Sequence, residues 1–364
     1  MNNKKTGIFG GVITGLIFLV VGTGLLWWNE GNNVKNIKTI DEISEVVIDV
    51  SSSEIDLANE GKLVATNGSF TVEDKEVVDN VFGVGNKTAI LSRTVEIYEW
   101  EETEHTDEDY TRYTYDKVWK EELIDSSNFE SGHTNPTTKL YDSELFAARK
   151  CKVGKYSLSS KQIMGLATDK TLVLKSVKLP EGFKVNGNYI TNSKDINNPQ
   201  VGDLRISFTY NDWTEISVMA VINGSTFSDY VSEAGKNVNE VREGLLTSKE
   251  IIKKMQDENN MLKWILRAVG TVVLICAYLA IISPITKLAS YVPILGGIVG
   301  GIIFVICCII GLIHSLLVIA IAWIRFRPVL GIILLAVVAV LVFFLVKIIK
   351  NKKNQKQTEP QPEQ

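Results

Sequence analysis

Trp264-Ile-Leu-Arg-Ala-Val-Gly-Thr-Val-Val-Leu-Ile-Cys-Ala-Tyr-Leu-Ala-Ile-Ile282 opens an apolar block that runs to Val346. Roughly 20 consecutive apolar residues cross a bilayer as a helix, and the block holds three such runs divided by short polar breaks. It is too long for a soluble core, so the chain is read as a membrane protein. The first run is Trp264–Ile282, with Arg267 close enough to its end to snorkel to the interface, and Ser283 and Pro284 are expected to stop it. Residues 283–293 contain Lys287 and Tyr291. A lysine at the bilayer centre costs roughly 2.5–3.5 kcal/mol, so this stretch is placed as an interfacial turn. Residues 294–324 form the next span, which starts glycine-rich at Gly296, Gly297, Gly300 and Gly301. Arg325, Arg327 and Pro328 lead to a last span over 329–346, and residues 347–364 form a basic and then disordered cytoplasmic tail.

At the other end, residues 1–6 are a short cytoplasmic segment with Lys4 and Lys5, followed by an uncharged run, 7–28, that closes on Trp27 and Trp28. The run is too long for a signal-peptide core of roughly 7–15 residues. An uncleaved anchor helix is expected, with its tryptophans at the membrane boundary. Trp264 and Trp323 are placed at boundaries in the same way, with Arg325 and Arg327 as further interface anchors. Gly7, Gly11 and Gly15 recur every four residues and would leave one helix face bare for another helix to approach. Gly297 and Gly301 have the same spacing.

Between the hydrophobic ends, residues 29–263 read as a β-rich domain that ends in a helix. Strands are expected at Glu45–Val50, Lys62–Val72, Ala89–Glu101, Thr111–Glu122 and Thr171–Lys178. Leu204, Ile206, Phe208 and Tyr210 alternate, Asn211 and Asp212 intervene, and Ile216, Val218, Ala220 and Ile222 alternate again. That pattern predicts a hairpin with one buried face. A second hairpin is expected between Thr94–Trp100 and Arg112–Trp119, with aromatic cross-strand pairs each contributing roughly 0.2–1 kcal/mol. Its acidic tip lacks the spaced oxygen ligands and glycine of an EF-hand loop, so it is read as solvated. Thr247 with Glu250 is a capping box, predicting a helix from Ser248 that could run into Trp264 and couple the domain rigidly to its anchor.

The chemistry is sparse. The 364 residues carry 45% hydrophobic and 22% charged residues and a net charge of −4, which gives no basic face for nucleic acid. Of the 4 cysteines, only Cys151 lies in the polar middle, so that domain closes no internal disulfide. No zinc spacing is present. Gly83-Val-Gly-Asn-Lys-Thr88 is too short for a phosphate loop, which needs four residues between its glycine and the Gly-Lys pair. GxSxG, HExxH and SxxK are absent, and no cofactor is indicated. The 3 histidines are dispersed. His314 lies inside a span, where an ionisable residue is a candidate intramembrane polar site. Without an intramembrane carboxylate to pair with, it is read as a neutral imidazole bonded to a neighbouring helix. Asn67-Gly-Ser, Asn86-Lys-Thr and Asn223-Gly-Ser match the glycosylation triplet.

Several longer motifs stand in order along the chain: Asn29-Glu-Gly31, Asn59-Glu-Gly-Lys-Leu-Val64, Leu91-Ser-Arg-Thr-Val-Glu-Ile-Tyr-Glu-Trp-Glu-Glu102 and Thr111-Arg-Tyr-Thr-Tyr-Asp116. Asn128-Phe, Gly132-His133, Asn135-Pro136, Val201-Gly-Asp-Leu-Arg-Ile-Ser-Phe-Thr-Tyr210, Ala322-Trp323 and Arg327-Pro328 follow. Together they resemble the transmembrane protein 43 family, also called LUMA. The resemblance implies a multi-pass α-helical membrane protein with four transmembrane helices and a β-rich (α+β) extramembrane domain between helices 1 and 2. It also implies that the domain is extracytoplasmic or lumenal and that both termini face the cytosol or nucleoplasm. Animal members are proteins of the endoplasmic reticulum and nuclear inner membrane, associated with lamins and emerin. The short amino-terminal segment and the Gln/Pro tail point instead to a bacterial-type member in a cell inner membrane.

The resulting expectation is a scaffold for membrane organisation, contacting membrane lipids and either itself or other membrane proteins, with lamin or emerin partners only in a nuclear-envelope setting. The alternative is an enzyme acting on lipid or envelope components, using groups such as His133 that sequence distance keeps apart.

Overall fold

The computed structural model describes residues 3–106, 110–174, 178–289, 296–324, 332–333, 335–344 and 346–347. Its helices are α1 (Asn3–Val46), the short α2 (Ser160–Met164), α3 (Ser248–Ala289) and α4 (Gly296–Ile324). The chain divides into two units, residues 1–40 with 254–364 and residues 41–253. Among the described residues, three helices are long and apolar enough to cross a membrane: Gly10–Val46 in α1, Ser248–Pro284 in α3 and Gly301–Ile324 in α4. A shorter apolar helix covers Leu335–Phe344, within the expected last span.

Two helices overrun their expected ends. The anchor helix expected over 7–28 continues to Val46, because its polar continuation finds partners on α3. Asn29 Nδ2 donates to the Lys263 carbonyl at 3.1 Å, Asn36 Nδ2 to Asn259 Oδ1 at 2.9 Å, and Asn259 Nδ2 to Asn33 Oδ1 at 2.9 Å. The strand expected at Glu45–Val50 shrinks to Ile48–Asp49 as a result. In α3 the capping box is present: Thr247 N donates to Glu250 Oε2 at 2.8 Å and Glu250 N to Thr247 Oγ1 at 3.4 Å. The helix then runs through Ser283 and Pro284 to Ala289 instead of stopping. Proline removes the bond to the carbonyl four residues back, that of Ala280. Membrane helices tolerate the loss where a neighbour covers it, and the backbone of Gly11 approaches this carbonyl, with a Cβ position 3.6 Å away.

The second unit is built on two seven-stranded sheets. One has the order Thr226–Ser228, Glu215–Asn223, Leu63–Val72, Cys151–Val153, Tyr156–Ser157, with Ile48–Asp49 and Glu240–Glu243 pairing beside it. The other has the order Lys184–Asn186, Tyr189–Thr191, Leu204–Tyr210, Ile90–Thr106, Thr111–Lys120, with Lys170–Thr171 and Glu144–Ala147 at its flanks. Val64, Ile216, Val218 and Ala220 of the first sheet share one buried core with Leu91, Val95, Ile97, Ile206 and Phe208 of the second. The unit is therefore a β-sandwich.

The hairpin expected around Asn211 and Asp212 does not form. Leu204–Tyr210 pairs with Ile90–Thr106, whereas Glu215–Asn223 pairs with Leu63–Val72. The chain crosses between sheets at Asn211, which is buried. Its carbonyl accepts from Thr88 Oγ1 at 2.7 Å, and its Nδ2 donates to the Ala167 carbonyl at 2.9 Å. The alternation correctly marked the inward faces, but each face closes on a different sheet. The Ile90–Thr106 and Thr111–Lys120 hairpin does form, in a register that puts Tyr98 opposite Trp119 with ring centroids 5.0 Å apart. The expected Thr171–Lys178 strand reduces to Lys170–Thr171, and residues 175–177 lie outside the described residues.

Candidate functional site

Glu30 is the first acidic residue after the anchor run, and it is fully buried. A buried carboxylate needs a partner of opposite charge with its remaining lone pairs satisfied. Arg267 supplies the charge in a bidentate fork: Nε donates to Oε1 at 2.6 Å and Nη2 to Oε2 at 2.9 Å. Trp323 Nε1 donates to the same Oε2. The guanidinium is flanked by aromatic faces, 4.8 Å from the Trp264 ring centroid and 5.4 Å from that of Trp323. Arg267 thus pairs with a carboxylate on α1 instead of snorkelling. Trp323 ties α4 to the same point, and the described part of the membrane unit meets here in one knot of three helices. The sequence carried a signal for it, since a lone Glu beside one apolar run and a lone Arg inside another each need a countercharge.

Of the expected anchors, Trp27, Trp28 and Trp264 are more than half exposed, and Trp323 is spent on Glu30. Arg325 and Arg327 lie outside the described residues.

The glycine face of α1 lies against α3. A Cβ at Gly11 would meet Ser283 Oγ at 2.9 Å, and one at Gly15 would meet both the Ala277 carbonyl and Ile281 Cγ1 at 2.7 Å. Gly22 continues the face toward Leu274. Gly7 lies within α1 and Gly297 within α4. A Cβ at Gly301 would meet nothing within 4 Å, whereas one at Gly311 on α4 would meet Ile275 Cγ1 at 2.6 Å.

His314 joins three helices. Its Nδ1 lies 2.9 Å from the Tyr278 hydroxyl and its Nε2 lies 3.3 Å from Thr23 Oγ1. Thr23 already donates its single proton to the Leu19 carbonyl at 2.7 Å. Thr23 must therefore accept from Nε2–H. In the neutral imidazole expected from the sequence, Nδ1 then accepts from the tyrosine hydroxyl.

In the sandwich, the described acidic residues of the hairpin have partners within the domain, and the tip residues Asp107, Glu108 and Asp109 lie outside the described residues. Glu101 pairs with Lys120 at 2.8 Å, and Glu102 accepts from Tyr115 Oη at 2.6 Å. Glu99 is buried, with Oε2 accepting from Ile124 N at 3.0 Å and Oε1 unpartnered. Desolvation by burial holds its carboxyl above the usual range. Among the described residues, no group of three or more His, Cys, Asp or Glu side chains is placed to hold a metal ion. His105 bonds Thr114 Oγ1 at 3.0 Å. His133 stacks on Tyr115 at 4.2 Å, meets the edge of Trp100 at 4.3 Å and bonds Ser131 Oγ through Nδ1 at 2.6 Å. Burial pushes the Cys151 thiol up to about 12, so it is no thiolate nucleophile. Gly83, at φ +60°, precedes the strand Val84–Asn86, which pairs with Val77–Asp79; the glycine-rich stretch is a hairpin turn. Asn67 Nδ2 donates to the Leu246 carbonyl at 2.9 Å, so this glycosylation triplet is occupied within the fold.

The sequence profile described as Transmembrane protein 43 matches residues 97–328. The chain is 28% identical over 359 residues to Transmembrane protein 43 of Homo sapiens, covering 92% of this chain and 89% of that protein. It is 28% identical over 343 residues to the Rattus norvegicus protein of the same name, covering 88% and 85%. To the Transmembrane protein 43 homolog of Drosophila melanogaster it is 26% identical over 335 residues, covering 87% and 89%. No solved structure matches the chain.

Proposed function

We propose that this chain, which belongs to the transmembrane protein 43 family, is a membrane-organising scaffold that holds a β-sandwich as a protein-interaction domain at the membrane. The observation that carries this reading is the continuity of α1 and α3. Each runs unbroken from a membrane-length apolar stretch into residues of the domain unit, α1 to Val46 and α3 from Ser248. The asparagine bonds between them and the Glu30–Arg267 fork fix their mutual register. A domain borne on two registered helices is suited to presenting a surface.

In this reading four spans cross the membrane, the fourth within 329–346. The sandwich faces the extracytoplasmic or lumenal side, and both termini face the cytosol. In a bacterial host the membrane is the cell inner membrane. In a eukaryotic host it is the endoplasmic reticulum and nuclear inner membrane, with lamin- and emerin-type proteins as partners. Otherwise the partners are second copies of the chain or other membrane proteins.

Two measurements test the proposal. In a cysteine-free background, a membrane-impermeant thiol reagent should label Glu181→Cys from outside intact cells or inside the lumen, and leave Lys353→Cys protected. The reverse pattern would overturn the topology. Chemical crosslinking in native lipid should yield defined adducts through the sandwich, and a strictly monomeric, uncrosslinked chain would overturn the scaffold role.

A further inference from the structure

The outer strand of a sheet carries backbone groups without a ladder partner, and proteins keep such strands short, charged or bulged so that no other chain pairs with them. Three of the four strands that end the two large sheets obey this. Thr226–Ser228 and Lys184–Asn186 have three residues each and Tyr156–Ser157 has two. The fourth, Thr111–Lys120, has ten residues, no proline and an unbroken register against Ile90–Thr106. Its lysines do not guard the edge, because Lys117 lies over the Trp100 ring at 4.8 Å and Lys120 pairs with Glu101 at 2.8 Å.

The neighbouring strand shows which groups this edge presents. Tyr98 N donates to the Asp203 carbonyl and Gly202 N to the Tyr98 carbonyl, both at 2.9 Å. Trp100 N donates to Asn135 Oδ1 and Asn135 Nδ2 to the Trp100 carbonyl, both at 2.8 Å. Tyr98 and Trp100 thus turn their backbone groups away from Thr111–Lys120. Orientation alternates along an antiparallel ladder, so Glu99, Glu101 and Thr103 bond across to Val118, Asp116 and Thr114. Thr111, Tyr113, Tyr115, Lys117 and Trp119 therefore direct their N–H and C=O groups outward, and among the described residues no protein group bonds them.

Charge selects the partner. Arg112 and Asp116 are exposed, and among the described residues neither has an ion-pair partner. When the edge meets the same edge of a second copy in antiparallel fashion, the two-fold axis can fall at successive residues. At Thr114 it sets Arg112 opposite Asp116 of the other copy, and Asp116 opposite the other Arg112, while Tyr113 and Tyr115 exchange backbone bonds. At Asp116 or Lys117 it sets like charges face to face, and at Tyr113 or Tyr115 it matches no charges. Opposite charges directly across a ladder stabilise it and like charges destabilise it.

We propose that two copies of the chain pair through residues 111–117, antiparallel about a two-fold axis at Thr114, so that one sheet of each sandwich continues into the other. The inference rests on the scaffold reading, of which it names the partner and the surface.

The test is disulfide trapping of the full chain, cysteine-free apart from the probe, in native lipid. Facing residues of a non-hydrogen-bonded antiparallel pair have Cα atoms about 4.5 Å apart, within the roughly 4.4–6.8 Å that a disulfide spans. Thr114→Cys should give a reducible dimer under mild oxidation. Val118→Cys, on the same face of the strand but away from the axis, should not. Adding Arg112→Asp to Thr114→Cys should cut the dimer at least about fivefold, and adding Asp116→Arg as well should restore it, a rescue that a fold-breaking substitution would not allow. No dimer at Thr114→Cys, equal trapping at Val118→Cys, a dimer indifferent to Arg112→Asp, or an adduct of any mass other than two chains would overturn the proposal. Chemical crosslinks through the sandwich without the Thr114→Cys dimer would remove this interface and leave the scaffold reading standing, whereas the absence of both would remove both.

Discussion

At the scale of single residues, Glu30 and Arg267 are worth more to the fold as a pair than either is alone. Removing one partner of a buried ion pair leaves an uncompensated charge and destabilises by about 3–5 kcal/mol, whereas replacing both with apolar groups is often neutral. Glu30→Leu should therefore lower the thermal midpoint in detergent sharply, and Glu30→Leu combined with Arg267→Leu should recover most of the loss. Additive losses in the double variant would show that the bonds, and not the stranded charge, matter. Glu99 supports a second prediction at this scale. Its folded pKa is raised by burial, so the stability linked to its protonated form is fully present below the ordinary glutamate range, about 4.3. It is lost as pH rises through the folded value. Glu99→Gln, which is neutral at every pH and keeps an acceptor for Ile124 N, should be more stable than wild type at pH 7, with the gap closing toward pH 4. Parallel curves of midpoint against pH would sink this account.

At the scale of elements, the periodic features were legible in the sequence and their neighbours were not. The small-residue face at Gly11 and Gly15, the capping box at Thr247 and the Ile90–Thr106 hairpin could be read locally because each is set by spacing within one stretch. The end of α1 was not legible, because Asn29, Asn33 and Asn36 read as the polar start of the β-rich domain until Lys263 and Asn259, more than 200 positions away, bond them. The Pro284 stop failed for a related reason, since the carbonyl it frees lies against another helix. The glycine face yields a direct test. Overpacking costs typically about 1–3 kcal/mol, so Gly15→Leu should destabilise the helical unit by at least that much. Gly24→Leu, where a Cβ meets nothing within 4 Å, should stay within about 0.5 kcal/mol, the range of an unconstrained surface substitution. Thermal unfolding of both in the same detergent distinguishes them, and equal losses would mean that α1 does not pack through this face. Thr247→Ala should cost about 1 kcal/mol by removing the cap.

At the scale of the whole molecule, the failed hairpin at Asn211 and Asp212 shows where local reading ends. Alternation in Leu204–Tyr210 and Glu215–Asn223 identifies two buried faces, and a turn-like Asn-Asp between them suggests that the strands pair. Only the competing partners decide otherwise: Ile90–Thr106 and Leu63–Val72 each offer a longer ladder, with seven paired positions in each case, and Thr88 and Ala167 satisfy the buried asparagine that makes the crossover possible. The consequence is that the main apolar core lies between the two sheets. Among the described residues, that core, from Val64 to Phe227, comes from residues 41–253. A fragment of residues 41–253 should therefore fold without a membrane and unfold in one cooperative step. Its heat-capacity increment should be roughly 3 kcal/mol/K, from about 12–15 cal/mol/K per residue over some 200 residues. Calorimetry and urea titration of the fragment check this. A broad, non-cooperative transition would mean that the sandwich depends on its helices for stability, and that the membrane unit is a structural part of the domain.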